Sequence, residues 1–533
     1  MRKLTGSVVL ALAAMSAAHG QFGRGGGDWT TSGSDAQRSS WLRAEAKISS
    51  ESMQKPGFQF LWKVKLANEP KQLNALTVPV LLNFYIGYRG FRSLAFTGGS
   101  SDNIFAIDTD LGRLEWQKHL AAPAQSGGSL ACPGGMSANL SRPTATAFPG
   151  APPAGRGGGG RGGARSGVGD PGEGAVTIRE INANAAARGP APRMPADAPG
   201  GRGGRGRGGA AAAPGGPNPF ARAPSWLYAV SSDGMLHSVY VSNGEEPQPP
   251  VRFLPAGADA RGLIVVDNVA YAATAQGCGG ADNGLWAVDI ASKEVNTWKS
   301  NSGGVAGSMG PAIGPDGTVY VVTEGGELVA LEPKTLKMKD AYKSAQGFTS
   351  SPVIFQYKDK TLIAALSKDG QIHLLDTASL PTVLTKAPAN AAAESLASWQ
   401  DSAGARWLLA PTANAIGAWK VVDQNGAPSL ADGWVSREMV SPLTPMIVNG
   451  VVFAVSSGEF RGGDSKMTAA QRAQRSSPAV LYALDAATGK ELWSSGKTMT
   501  SFIHGGGLSA GGSQIYLGTY DGTFYAFGFW IEH

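Results

Sequence analysis

The stretch Leu481-Tyr482-Ala483-Leu484-Asp485-Ala486-Ala487-Thr488-Gly489-Lys490-Glu491-Leu492-Trp493 decides the fold. An apolar strand closes on an Asp, a Gly-bearing turn follows, and a Trp ends the unit. Asp hydrogen-bonds its own backbone in tight turns, and Gly completes turns that other residues resist. The same order recurs. Ile104-Phe105-Ala106-Ile107-Asp108 leads to Gly112 and Trp116, and Leu285-Trp286-Ala287-Val288-Asp289 leads to Trp298. Shorter copies stand at Leu328-Val329-Ala330-Leu331-Glu332, Ile372-His373-Leu374-Leu375-Asp376, Leu227-Tyr228-Ala229-Val230 and Phe524-Tyr525-Ala526-Phe527.

The acidic positions 289, 332 and 376 are separated by 43 and 44 residues. A period in the forties with about four strands per unit is the signature of a β-propeller. Period-two alternation lets each sheet pack on both neighbours. The small Ala permits close approach, and the Trp fills the gap between sheets. Pro79, Pro143, Pro311, Pro352 and Pro445 each open or enter an apolar strand. Pro cannot donate to a ladder, so it belongs on an edge strand, and the innermost strand of a blade is one.

Counting from these marks gives eight units, at 75–120, 136–254, 261–300, 308–343, 350–386, 395–437, 441–496 and 502–528. The eighth has strands near 506–510, 514–518 and 523–527 and lacks a fourth. Residues 58–66 (FQFLWKVKL) have a strand pattern and no unit of their own, so they are assigned as that outer strand. Closure of this kind removes exposed sheet edges. The expected fold is therefore an all-β, eight-bladed propeller of four-stranded antiparallel blades, closed by an N-terminal strand.

Composition agrees. Of 533 residues, 42% are hydrophobic and 16% charged, with 75 Gly and 33 Pro. That excludes a chain disordered throughout and a coiled coil, and it suits many strands and turns. The net charge of +6 is local. Residues 149–222 hold ten Arg, no Lys and four acids, and the remainder balances. A basic nucleic-acid-binding body is not supported. The segment 149–224, with GRGGGGRGGAR at 155–165, is too poor in apolar residues to order itself and reads as a solvated insertion. Its alternative role is to hold cell-envelope polysaccharide. A second, polar insertion at 458–478 carries Arg461, Lys466, Arg472 and Arg475.

Arg2 and Lys3, the apolar run 8–18 and Ala18-His19-Gly20 read as a signal peptide over 1–20. The domain plan is then a leader, an extended segment at 21–56 and one propeller at 57–533. The apolar run is shorter than the roughly 20 residues a membrane span needs. No Cys adjoins the cleavage site. The expected location is periplasmic or extracellular, without a lipid anchor or a transmembrane segment. A monomer is the default.

The A-x-D-x-x-T-G-K-x-x-W run at 483–493 resembles the repeat of pyrroloquinoline quinone (PQQ) propellers, the quinoprotein alcohol dehydrogenase-like family. Asp28-Trp29 and Gly33-Ser34-Asp35-Ala36-Gln37-Arg38-Ser39-Ser40 resemble the segment that precedes their first blade. The run from Gly506 to Gly512 and on through Tyr520-Asp521-Gly522-Thr523-Phe524-Tyr525-Ala526-Phe527 is similar to their last blade. The resemblance spans 28–533 apart from the insertions. It implies PQQ and calcium over the central channel. Those dehydrogenases carry a vicinal Cys-Cys, whereas the two Cys here are 146 positions apart. Their Asp base lies in a W-D-x-D stretch, and Trp399-Gln400-Asp401 does not match it. Neither a Glu/Asn pair for calcium nor a cytochrome domain is evident. Relatives that assist outer-membrane protein assembly share the repeat without the chemistry. Two readings follow: an exported binding or scaffolding module for a cell-envelope protein or a small molecule, or a PQQ-dependent alcohol or sugar dehydrogenase with an altered site.

Propeller topology places the site. With strands A to D running outward, the D–A and B–C connections share one face, here the first face. Cys132 lies in a D–A link and Cys278 in a B–C loop of the adjacent blade. A bridge between them is within reach and would stabilise by about 2–4 kcal/mol; two separate thiols are the alternative. Asn139, Arg142, Thr444, Arg461, His504, Gly505 and Gly506 are the candidates at the channel mouth for a carboxylated ligand. The competing structural roles are inner-strand backbone satisfaction for Asn139 and Arg142, loop support for His504 and a solvated charge for Arg461. No metal ligand set is read, and six His give little basis for a His-centred one.

Overall fold

The computed structural model describes residues 28–43, 45, 47–87, 90–120, 128–148, 225–390, 393–462 and 467–530. The leader expected at 1–20 and the insertion expected at 149–224 lie outside them. Eight sheets form the ring of an eight-bladed β-propeller. Blade one is typical, running outward through Val80–Gly87, Gly90–Gly99, Asn103–Asp108 and Arg113–His119. Blade eight contributes Ser509–Gly511, Gln514–Gly518 and Thr523–Gly528, and Gln59–Lys65 pairs antiparallel with the last of these as its outer strand. In that register Lys65 faces Thr523 and Gln59 faces Gly528, so the two ends of the chain close the ring. Blade two is the least regular, because its innermost stretch touches the sheet through a single bridge between Ser141 and Tyr228.

Apolar residues alternate into both inter-blade layers. Phe96, Ile104 and Ala106 of blade one meet Leu227, Ala229 and Val239 of blade two, all fully buried. The outer-strand Trp residues then lock neighbouring blades. Trp62 of blade eight donates its indole N–H to Thr109 O of blade one, Trp116 of blade one to Val241 O of blade two, and Trp434 of blade six to Ala486 O of blade seven. Each ring lies on a turn Gly. A Cβ on Gly112 would stand 2.4 Å from Trp62, and one on Gly489 would stand 2.3 Å from Trp434.

The centre of the ring is filled by the chain itself. Every residue from 29 to 40 is buried. This segment accepts backbone hydrogen bonds from the inner strands in order: Leu81 N to Trp29 O, Arg142 N to Thr30 O, Ile313 N to Ala36 O, Ile354 N to Gln37 O, Ser398 N to Ser39 O and Ile447 N to Ser40 O, at 2.7–3.0 Å. Blade three joins through Thr31 Oγ1, which donates to Leu263 O. Trp41–Leu42 then adds a parallel fifth strand inside blade seven. The sequence reading left the inner strands as free edges. Instead the 28–42 segment accepts one backbone N–H from each of six of them, groups that would otherwise be buried without partners.

Arg38 is the hub of this plug and is 1% exposed. Its guanidinium donates to Pro311 O, Thr31 Oγ1, Ser32 O and Gly262 O at 2.6–3.0 Å. Burial pushes its pKa down to about 9, against the pull of Asp35. Asp35 accepts from the amide and hydroxyl of Ser39. Ser34, Arg38 and Ser40 adopt left-handed backbone, with φ of 71°, 61° and 52°. Such strain persists only where the surroundings over-determine it, as these bonds do.

Candidate functional site

A cavity of about 560 Å³ opens over the plugged channel. Trp29, Ser32, Gly33 and Ser40 of the plug contribute to its lining, and D–A links and B–C turns supply the rest. It therefore lies on the first face. The plug makes it a cup with a floor.

Of the sequence candidates, Asn139, Thr444, Arg461, His504, Gly505 and Gly506 line the cup. Arg142 does not. It bonds Asp28 at 2.5 Å and Leu81 O at 2.9 Å, holding the entry of the plug to blade one. Its charge and donors serve the plug and the inner-strand backbone, the competing role read for it in the sequence. Asn139 lines the wall, but its amide is occupied by Leu140 O, Leu263 O and Thr31 Oγ1. Thr444 and Ser395 share a 2.6 Å hydroxyl contact. Cys132 and Cys278 are joined by a disulfide with Cα atoms 5.5 Å apart. The bridge ties the 130–133 stretch, part of the cup wall, to blade three.

The densest electrostatic cluster is one that sequence reasoning missed. Glu459, 1% exposed, lies behind Arg461 and His504. Its Oε1 meets His504 Nδ1 at 2.9 Å and Arg472 at 3.6 Å, and its Oε2 accepts from Arg461 Nε at 3.0 Å. Burial alone would raise its pKa, but His504 and Arg461 outweigh that and hold it at about 2. An ionised carboxylate thus orients an imidazole and a guanidinium at the cup. His504 Nε2 and the terminal nitrogens of Arg461 have no partner among the described residues. The signal was faint: one Glu at the head of a polar insertion, with partners brought to it by the fold.

The wall from blades three to six carries Asp259, Arg261, Glu324, Lys368 and Glu394. Asp259 pairs with Arg261 at 2.9 Å; burial raises its pKa against that partner. Gln276 donates to Glu324 Oε1, and Lys368 Nζ donates to the Glu324 carbonyl.

One other cluster imitates a hydrolase. Ser231 Oγ meets His237 Nε2 at 2.9 Å, and His237 Nδ1 meets Glu246 at 2.9 Å. The same Ser–His contact recurs in blade five, between Ser367 and His373, with Tyr342 as third partner. Both His are buried, at 5% and 1%. A contact repeated in two blades and closed to substrate is a blade-bracing device.

No family model matches the sequence, and no curated protein does. Among solved structures, the fold is similar to a quinohemoprotein alcohol dehydrogenase from Pseudomonas putida HK5, with TM-score 0.52 and 10% identity over 95% of this chain and 81% of that one. It is also similar to the quinohemoprotein alcohol dehydrogenase of Comamonas testosteroni, with TM-score 0.50 and 12% identity over the same shares. BamB from Moraxella catarrhalis matches at TM-score 0.46 and 10% identity, over 89% of this chain and 99% of that one. At these identities the likeness concerns the fold.

The cup can be tested against the cofactors the sequence resemblance implies. A planar quinone needs an aromatic face to stack on. The two aromatic residues of the lining, Trp29 and Phe348, are 1% and 0% exposed, so neither offers one. Among the described residues no three of His, Cys, Asp or Glu gather as around a cation. These residues do not fit PQQ with calcium, and no chemical step is derived through them.

Proposed function

We propose that this chain is an exported ligand-binding propeller that takes a small polar organic molecule in the first-face cup. The observation that carries this reading is the floor: the 28–42 segment turns a channel into a blind cavity walled by hydrogen-bonding groups. Its volume is in the range of small-molecule sites. Export rests on the leader read in the sequence, and no helix among the described residues is long and apolar enough to cross a membrane. The reading differs from a dehydrogenase by needing no stacked cofactor.

Two measurements separate them. Calorimetry of the mature chain against polar metabolites should find a saturable ligand. Ser308→Trp, which places a bulky ring in the lining, should abolish its uptake. Uptake of PQQ with calcium, followed by dye-linked alcohol oxidation, would overturn the binding reading in favour of the enzyme.

A further inference from the structure

We infer that the ligand of the cup is a small zwitterion of the amino-acid or short-peptide class, its carboxylate held at Arg461 and His504 and its ammonium toward Glu324 and Glu394. This rests on the binding reading and deepens it.

On the side of blades seven and eight, Arg461 and Arg472 face the single buried carboxylate of Glu459. Their charges leave a surplus of one positive from the two guanidinium groups against one carboxylate. Arg461 spends only its Nε on Glu459, so its outward fork remains for a carboxylate, the geometry a guanidinium matches best. The turn beside it supplies more donors: the amides of Gly505, Gly506 and Gly507 have no backbone partner among the described residues, and all three line the cup.

On the side of blades three to six, Asp259 and Arg261 cancel as a pair. Glu324 and Glu394 outnumber Lys368, whose ammonium is directed to a backbone carbonyl. Glu394 is among the residues that line the cup, and its carboxylate has no partner among the described residues. The cavity is therefore polarised, with an oxyanion-binding pole and an ammonium-binding pole. A ligand of one sign satisfies one pole and is repelled by the other; a zwitterion satisfies both. A trianionic quinone is disfavoured for the same reason.

The test is calorimetric titration of the full chain with triglycine, N-acetyl-triglycine and triglycine amide. Triglycine should bind, and each capped form should bind at least tenfold more weakly. Arg461→Ala, at an exposed loop position, should erase the difference between triglycine and its amide. Glu394→Gln should narrow the difference between triglycine and its N-acetyl form. Absence of triglycine binding, equal affinity for the capped forms, or an unchanged profile in Arg461→Ala would overturn the inference. Maltotriose, a neutral probe, separates the two failures. If it binds and Ser308→Trp blocks it, the cup is a binding site of another class; if nothing binds and PQQ supports oxidation, the binding reading itself is gone.

Discussion

Trp434 on the outer strand of blade six donates its indole N–H to Ala486 O of blade seven at 2.9 Å, and its ring lies against the turn Gly489. The contact recurs at Trp62 with Gly112, so the Gly of the repeat serves two ends at once. It takes a left-handed φ of 71° at position 489, and it leaves room for the neighbouring blade's ring.

Gly489→Ala should therefore cost both terms. A Cβ in left-handed backbone costs about 1–2 kcal/mol, and forcing apart a packed ring costs about 1–3 kcal/mol. A loss of roughly 2–5 kcal/mol in urea denaturation is expected, and Gly112→Ala should lose a similar amount. An exposed turn Gly such as Gly426, with nothing near its missing Cβ, should lose only the backbone term.

Arg38 binds the plug to blades three and four through carbonyls of Gly262 and Pro311. Arg38→Met removes the donors to three buried carbonyls and the Thr31 hydroxyl. Losing one partner of such a buried charged network costs about 3–5 kcal/mol. Arg38→Lys should rescue little, because an ammonium cannot reproduce the planar fork. Chemical denaturation measures both, and a Lys variant as stable as the parent would contradict the assignment.

The blades were legible because each repeats a short-range pattern whose period survives in the sequence. The closing strand was legible because blade eight lacked a partner and residues 58–66 lacked a blade. The plug was not. Its residues have no period and little apolar character, and its partners, such as Ile313 for Ala36, lie hundreds of residues away. The site followed the same rule. Topology put His504 and Arg461 on the face where the cavity opens, but nothing local marks Glu459 as the group that orients both. For Arg142 the sequence left open a ligand contact or inner-strand backbone satisfaction, and its bond to Leu81 O is of the second kind.

His373 of blade five makes stability pH-dependent below neutrality. It is buried between Ser367 and Tyr342. Burial, with Lys386 beside it, pushes its pKa down to about 4. The unfolded chain takes up this proton near pH 6.5, whereas the folded one refuses it until about 4. Stability from this group is thus complete above pH 6.5 and lost as pH falls to 4, by roughly 3 kcal/mol. His373→Gln, which keeps hydrogen-bonding capacity, should flatten that part of the profile. An unchanged slope between pH 7 and 4 would refute it.

Glu459 acts in a lower and separable window. Its folded pKa of about 2 lies below the ordinary 4.5. A depressed carboxylate contributes stability that is present above 4.5 and lost as pH falls toward 2, again roughly 3 kcal/mol. Glu459→Gln should be destabilised at pH 7, where the parent benefits from the ion cluster, and the two proteins should converge near pH 2. The same substitution leaves Arg461 without its anchor, so any ligand that uses its fork should weaken at pH 7 even where the fold is intact. Convergence of the stability curves without loss of binding would separate the two roles and restrict Glu459 to holding the insertion against blade eight.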